Sequence, residues 1–150
     1  MRQATLFLSV KPIFASKILD GTKTIELRRV CPNVTLGDTV LIYSTSPEMA
    51  LLGSAQVLQV LRGAPHLIWA QVREHAGVTR EQFDDYFNGA KTASGIRLHA
   101  VRRLARPICL REIRERWPWL RPPQSYRYVY ACLDPDRDAV KSLRPADPAA

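Results

Sequence analysis

The chain has 150 residues, a formal net charge of +8, and 46% hydrophobic and 24% charged residues, a composition typical of one soluble globular domain. A domain of this length needs neither a disulfide nor a metal to fold. No stretch reaches the roughly 18 consecutive apolar residues of a membrane span and no signal-peptide pattern is present, so we expect a cytoplasmic protein with no membrane partner.

The first part of the chain predicts a strand, a short helix and three further strands. Residues 4–10 are apolar and β-branched, as in a strand. Pro12 fits the first turn of a helix, and Gly21 can end that helix. Residues 24–29 then alternate between polar and apolar side chains, which predicts a half-buried strand with one charged face. Further strands are predicted over residues 39–44 and 50–61, with a bulge or bend at Gly53.

The second part predicts three helices and two strands. Helices are expected over residues 65–76, 79–88 and 110–117, and strands over residues 93–104 and 127–133. Thr79 and Gln82 have the spacing of a capping box. From Asp134 onward the chain is rich in Asp, Pro and Ala, which indicates a flexible tail over residues 134–150. We therefore predict one domain over residues 1–133 with an α+β fold, a small, partly closed mixed β-barrel of about six strands with short helices in the connections.

The most informative charged side chains lie in residues 23–28. Lys23 falls at a turn, and Glu26 and Arg28 share one face of the following strand, so the three can converge on one cleft. Lys23 can bind a phosphate as a point charge, or act as a base if burial lowers its pKa. Glu26 can accept a hydrogen bond from an exocyclic amine of a base. The alternative is a surface ion pair on an exposed strand face, which would stabilise the fold little.

Residues 97–127 contain nine arginines and no lysine against two glutamates, which leaves a net charge of +7. Such a basic field attracts polyanions and favours their binding through counterion release. The alternative is a solvated, arginine-rich surface. Within this stretch, the helix over residues 110–117 mixes Arg with Glu, which fits either intrahelical ion pairs or a basic ridge. Trp119 is open between core packing and base stacking.

Metal and cofactor motifs are missing from the sequence. Cys31, Cys109 and Cys132 have no CxxC spacing, and we expect them to be buried thiols. The three histidines lie on separate predicted elements, and neither a phosphate loop nor a GxGxxG pattern occurs. We therefore expect no metal and no cofactor.

The segment from Lys11 to Arg28 resembles the opening motif of the ASCH domain family, in which Lys-Pro and a helix ending Ile-x-x-Gly-x-Lys precede a strand with Glu-x-Arg. The matching residues are Lys11, Pro12, Ile18, Gly21, Lys23, Glu26 and Arg28. Weaker similarities follow in order at Tyr43-Ser44 with Pro47, Leu52-Gly53, Tyr86-Phe87 with Gly89, Pro107-Ile108, and Pro123-x-Ser125-Tyr126. The resemblance spans residues 6–133 and implies a PUA-like fold with a cleft between the helix and the charged strand.

The resemblance also implies a function, because the family is suggested to bind RNA. Some members are enzymes: one branch deacetylates N4-acetylcytidine with a Lys, a Thr and a Glu, and others are reported as ribonucleases. The Lys of that branch falls on Lys23, but its Thr falls on Glu26, and Glu81 is only a loose match for its Glu.

We therefore predict a nucleic-acid-binding domain with a basic cleft, whose partner is RNA or another single-stranded nucleic acid, with RNA favoured over DNA. One alternative is a small hydrolase acting on RNA or on a modified nucleoside such as N4-acetylcytidine, with Lys23 and Glu26 as catalytic residues. Another is a regulatory domain that binds a small ligand or a protein. The predicted ligand-binding residues are Lys11, Lys23, Glu26, Arg28, Tyr43, Ser44, Tyr86, Ser125 and Tyr126, in which the tyrosines would stack on bases.

Overall fold

Seven strands and four helices occupy residues 4–146, the part of the chain that this computed structural model describes. The strands are β1 (Thr5–Val10), β2 (Ile25–Arg28), β3 (Thr39–Ser44), β4 (Ala50–Gly63), β5 (Ala93–Cys109), β6 (Tyr126–Asp134) and β7 (Ala139–Pro145). The helices are α1 (Pro12–Asp20), α2 (Pro65–Val72), α3 (Arg80–Tyr86) and α4 (Leu110–Arg116). No helix within residues 4–146 is long and apolar enough to cross a membrane.

All seven strands form one sheet in the order β2-β5-β4-β3-β1-β6-β7. β1 and β3 are parallel, and every other neighbouring pair is antiparallel. β2 and β7 are the two edge strands, and in the described part of the chain they do not pair with each other. The predicted α+β class is confirmed, but the predicted β-barrel is not, because the sheet does not close. Sequence periodicity locates strands without specifying which edges pair.

The chain beyond Leu133 extends the sheet, because β7 pairs with β6 and buries Val140 and Leu143. The structure therefore corrects the predicted flexible tail at residues 139–145, while residues 147–150 lie outside the described part. Val140 and Leu143 are three residues apart, and the β6–β7 register shifts between them so that Lys141 has no partner residue. This bulge breaks the two-residue alternation by which strands are recognised in sequence.

Gly53 lies at an irregularity in the two longest strands, where the β4–β5 register shifts between Leu51 and Gly53. A Cβ atom at Gly53 would clash with the backbone carbonyl of Arg102. The bulge predicted at Gly53 is therefore confirmed, and it exists because two backbones approach closely there.

The helices α2 and α3 cover one side of β2 and so set the orientation of its charged side. Ile25 and Leu27 pack against Ile68, Val72 and Phe83 in one apolar cluster. Because successive side chains of a strand point to opposite faces, Glu26 and Arg28 point away from this cluster. Burying a side chain as large as Phe83 stabilises such a cluster by about 1.5–3 kcal/mol.

The start of α3 is fixed by the predicted capping box, which is confirmed. The Thr79 side chain accepts a hydrogen bond from the backbone N–H of Gln82, and the Gln82 side chain accepts one from the backbone N–H of Thr79. The expectation of buried cysteines is wrong, because Cys109 and Cys132 are exposed and Cys31 is half-buried.

Candidate functional site

A cleft of about 740 Å³ opens between α1, β2 and α3. Phe14 of α1 and Lys11, the residue before α1, line one side of it. Glu26 and Arg28 of β2 line it as well, together with Lys23 of the turn before β2. On the far side lie Gln82, Asp85 and Tyr86 of α3 together with Gln124 and Ser125 of the loop before β6. The cleft thus joins segments from both ends of the chain.

Lys23 enters the cleft after the sharp turn that ends α1. Its ammonium group donates a hydrogen bond to the carbonyl of Ala76 and lies 3.8 Å from Glu26 Oε1 and 5.1 Å from the centre of the Phe14 ring. Only 2% of the residue is exposed. Burial lowers the pKa of Lys23, and the nearby Glu26 carboxylate only partly opposes this effect.

Glu26 and Arg28 form a buried ion pair in the same cleft. Arg28 Nη2 lies 2.7 Å from Glu26 Oε2, and the two residues are 8% and 6% exposed respectively. The alternative of a surface ion pair on an exposed strand is therefore wrong. Buried charges persist only when paired and hydrogen-bonded, so each of these two side chains depends on the other.

Arg28 also connects β2 to two other parts of the chain. Its Nη2 donates to the carbonyl of Ser9 at 2.8 Å, and its Nη1 donates to Ser125 Oγ at 3.1 Å. The Ser9 hydroxyl in turn donates to the carbonyl of Pro123 at 2.6 Å. The end of β1 and the loop before β6 are thereby held against the charged face of β2.

Two lysines hold the loop between α2 and α3. Lys23 donates to the carbonyl of Ala76, and Lys17 donates to the next carbonyl, that of Gly77, at 3.0 Å. Gly77 has a left-handed conformation, and a Cβ atom there would lie 3.0 Å from the Cβ of Lys23. Gly77 therefore leaves the space that Lys23 occupies.

The far side of the cleft is secured by Arg29, whose side chain is exposed. Its Nη1 donates to the carbonyls of Tyr86 and Asn88 at 2.7 and 3.1 Å. This places the C-terminal end of α3 beside β2. Tyr86 is exposed at the rim, with its ring centre 4.8 Å from that of Phe87. An exposed aromatic ring at a cleft rim can stack on a base.

The cleft brings together six of the nine side chains predicted to bind a ligand: Lys11, Lys23, Glu26, Arg28, Tyr86 and Ser125. Tyr43, Ser44 and Tyr126 do not line it. Tyr43 packs in the core 5.6 Å from Phe7, and burial raises the pKa of Tyr43. Ser44 is fully buried, and Tyr126 packs against Tyr128. The polar neighbours of these residues in the sequence suggested exposed positions, but they do not determine which way a side chain of a strand points.

Sequence reasoning did not select Phe14, Asp85 or Gln124, which also line the cleft. The sequence pattern indicated Gln82 only as part of the capping box of a helix, not as a residue of the cleft. Lys17 was missed as well, because its bond to Gly77 joins residues 60 positions apart and leaves no local pattern.

The charge of the cleft is mixed. Lys11, Lys23 and Arg28 face Glu26 and Asp85, so the predicted basic cleft is not confirmed. None of the arginines of residues 97–127 lines the cleft. The intrahelical alternative is confirmed for α4, where Arg111 lies 3.8 Å from Glu115 and Arg116 lies 3.2 Å from Glu112. Within residues 4–146, no group of three or more His, Cys, Asp or Glu side chains is placed to hold a metal ion.

The fold and the cleft define a small α+β domain built on one mixed sheet, with a ligand-sized cleft beside a buried charged strand. The model of the ASCH domain matches residues 8–104, which is more than half of the chain. This protein therefore belongs to the ASCH domain family, and the resemblance of the opening motif is confirmed.

Relatives from Zymomonas mobilis extend the similarity over most of the chain. A protein named ASCH domain-containing ribonuclease is 31% identical over 122 residues, which cover 81% of this chain and 82% of the relative. The crystal structure of an ASCH protein from that organism has a TM-score of 0.78 at 29% identity, covering 89% of this chain and 90% of the other. A tyrosine-to-phenylalanine mutant has a TM-score of 0.79 at 29% identity, covering 84% and 90%.

Proposed function

We propose that this protein binds single-stranded RNA in the cleft and cleaves it there. The observation that carries the proposal is the buried Lys23–Glu26–Arg28 network, which lines an open cleft of about 740 Å³. Buried ionisable groups in contact at a cleft are a common mark of functional sites. The relative from Zymomonas mobilis that is named a ribonuclease supports RNA as the substrate.

The cleft fits the binding of one unstacked nucleotide. Its volume lies within the range of about 300–1,000 Å³ that is usual for small-ligand sites. Tyr86 is available at the rim to stack on a base, and exposed Lys11 is available to contact a phosphate. Single-stranded RNA presents bases that can be splayed out and held in this way, whereas the bases of a duplex remain stacked.

Cleavage within the RNA chain needs a proton acceptor for the attacking 2′-hydroxyl and positive charge near the phosphate. In this step a bond forms between O2′ and phosphorus, the bond from phosphorus to O5′ breaks, and a 2′,3′-cyclic phosphate remains. The proton that leaves the 2′-hydroxyl passes to Lys23, and the leaving O5′ receives a proton from water. The lowered pKa of Lys23 raises its neutral fraction, the form that accepts a proton. The Arg28 guanidinium supplies the positive charge.

Fluorescently labelled single-stranded RNA tests the proposal, with anisotropy for binding and gel electrophoresis for cleavage. Lys23→Met removes the buried amine and keeps an unbranched side chain of similar length. Lys141→Met is the matched control, because Lys141 is exposed on β7 and does not line the cleft. We expect Lys23→Met to lower the cleavage rate about 100-fold or more, the usual contribution of a general acid or base.

Binding by the wild type and by Lys141→Met should weaken as salt rises, because phosphate contacts release counterions. Unchanged cleavage by Lys23→Met would show that Lys23 has no catalytic role. If the wild type binds no RNA even at low salt, the proposal fails, and a modified nucleoside becomes the substrate to test in the same cleft.

A further inference from the structure

The arginines of residues 97–127 divide into those with carboxylate partners and those without. Arg102, Arg106, Arg111 and Arg116 each lie within 4.0 Å of a carboxylate oxygen. Within residues 4–146, Arg121 and Arg127 form no ion pair. These two flank the loop whose Gln124 and Ser125 line the cleft.

Arg127 lies close to the cleft by the geometry of β6. In the β1–β6 ladder Arg127 is opposite Phe7, and the Ser9 N–H donates to the carbonyl of Ser125 at 2.9 Å, which continues the same register by one residue beyond the last ladder pair. Residues two apart along extended chain face the same side and are separated by about 7 Å. Arg127 therefore neighbours Ser125, the residue that accepts a hydrogen bond from Arg28.

Trp119 and Arg127 together form a half-exposed surface. The guanidinium carbon of Arg127 lies 5.2 Å from the centre of the Trp119 ring, and both residues are half-buried. Aromatic rings and guanidinium planes are the two side-chain surfaces on which unstacked RNA bases most often pack. Arg121, two residues after Trp119, is exposed, as a side chain that contacts a phosphate would be.

The loop that carries these side chains is fixed to the core. Leu120 is fully buried between Trp119 and Arg121. Pro122 and Pro123 follow, and the carbonyl of Pro123 accepts the hydrogen bond from the Ser9 hydroxyl. Proline restricts the backbone, so the side chains on either side of the loop keep their positions when no ligand is present.

We infer that Trp119, Arg121 and Arg127 form a second RNA-binding subsite, which holds a nucleotide of the same strand beyond the two on either side of the cleaved bond. A base stacks on the Trp119–Arg127 surface, and Arg121 contacts the phosphate backbone. The inference rests on the proposed function, since it takes the RNA in the cleft as its starting point. It explains how unpaired arginines outside the cleft contribute to RNA binding.

RNA of two lengths tests the subsite: a dinucleotide, which has only the two nucleotides on either side of the cleaved bond, and a longer oligonucleotide, which also reaches the subsite. Arg121→Ala and Arg127→Ala should each weaken binding of the longer RNA about fivefold or more, and Trp119→Ala by at least as much. Cleavage of the dinucleotide should stay at the wild-type rate in all three variants. Because Arg121 is exposed, Arg121→Ala should fold normally, so it tests the subsite even if Trp119→Ala does not fold.

Arg137→Ala is the matched control, because Arg137 lies beyond the opposite end of β6. This variant should bind both RNAs as tightly as the wild type does. The subsite is disproved if the wild type binds the longer RNA and the Arg121 and Arg127 variants bind it equally well. It is also disproved if the variants lose the dinucleotide and the longer RNA to the same extent. If the wild type binds neither RNA, both the proposed function and the subsite are wrong.

Discussion

Two charged regions of the molecule differ in almost every physical respect. The cleft holds Lys23, Glu26 and Arg28 nearly out of contact with water, whereas the pair Arg111–Glu115 on α4 lies in solvent. Water screens the charges of α4, so each can be lost at little cost. In the cleft each charge depends on its partners, because an unpaired buried charge is strongly unfavourable. Charge density along the sequence and burial of charge therefore single out different regions of the molecule.

The cleft network also connects distant parts of the chain, which the α4 pairs do not. Arg28 joins β2 to Ser9 and to Ser125, which is 97 residues away. Lys23 joins the turn before β2 to Ala76, 53 residues away. By contrast, Arg111 and Glu115 are neighbours on one helix. Substitutions in the cleft should therefore affect the whole fold, and substitutions on α4 should have local effects.

The largest effect on stability is expected from Glu26→Ala, which leaves Lys23 and Arg28 buried without their negative partner. The free energy of unfolding in urea should fall by about 3–5 kcal/mol. Glu115→Ala, on the exposed face of α4, is the matched control. A loss in the Glu26 variant no greater than that in the control would show that the cleft pair is effectively solvated.

A smaller effect is expected from Gly77→Ala, because Gly77 has a φ of 66° and faces the Lys23 side chain. The left-handed conformation should cost an alanine about 1–2 kcal/mol of stability. Gly37→Ala carries a similar backbone cost, since Gly37 has a φ of 90°, but no other atom lies within 4 Å of its Cβ position. We expect both variants to lose stability and only Gly77→Ala to lose RNA cleavage, because only there is Lys23 displaced. Equal cleavage by both variants would mean that Gly77 does not position Lys23.

The pH dependence of the free energy of unfolding reports the protonation of the buried Lys23 side chain. Burial lowers the pKa of Lys23 below its usual 10.5, so the unfolded chain binds more protons between the folded-state pKa and 10.5. Stability from this group must therefore rise with pH across that window. We expect the wild type to gain stability relative to Lys23→Met as the pH is raised from 7 toward about 10 in urea titrations. Burial raises the pKa of Tyr43 and that of Tyr128, but both tyrosines are present in both proteins, so their contributions cancel in the comparison. A stability difference that stays constant with pH contradicts the lowered pKa of Lys23.

The smallest effect is expected from Arg111→Ala. Its 3.8 Å pair with Glu115 joins two exposed side chains on one helix, and such pairs contribute about 0.3–0.5 kcal/mol. Thermal or urea unfolding should barely change, and RNA cleavage should equal that of the wild type. A loss as large as that of the Glu26 variant would remove the distinction between the two charged regions.

Local patterns predicted much of the fold and part of the site. The alternation of residues 24–29 placed Glu26 and Arg28 on one face, and the capping box located the start of α3. Non-local features were not accessible in the same way. Whether the sheet closes depends on which edges pair. The bulge at Lys141 interrupts the alternating pattern by which β7 could be recognised in the sequence. Tyr43 packs in the core although polar residues follow it in the sequence. The extent to which Glu26 and Arg28 are buried is set by α1, α3 and the Ser125 loop, which no pattern within β2 records.

The central claim is that RNA occupies the cleft beside the Lys23–Glu26–Arg28 network. For a protein of 17.0 kDa, the most direct test is to titrate single-stranded RNA into the isotopically labelled chain and follow the backbone amide signals by NMR. We predict that the largest shifts fall on residues that surround the cleft, such as Lys23, Gly77, Tyr86 and Ser125. Shifts confined to α4, around Arg111 and Arg114, with the cleft signals unmoved, would contradict the account.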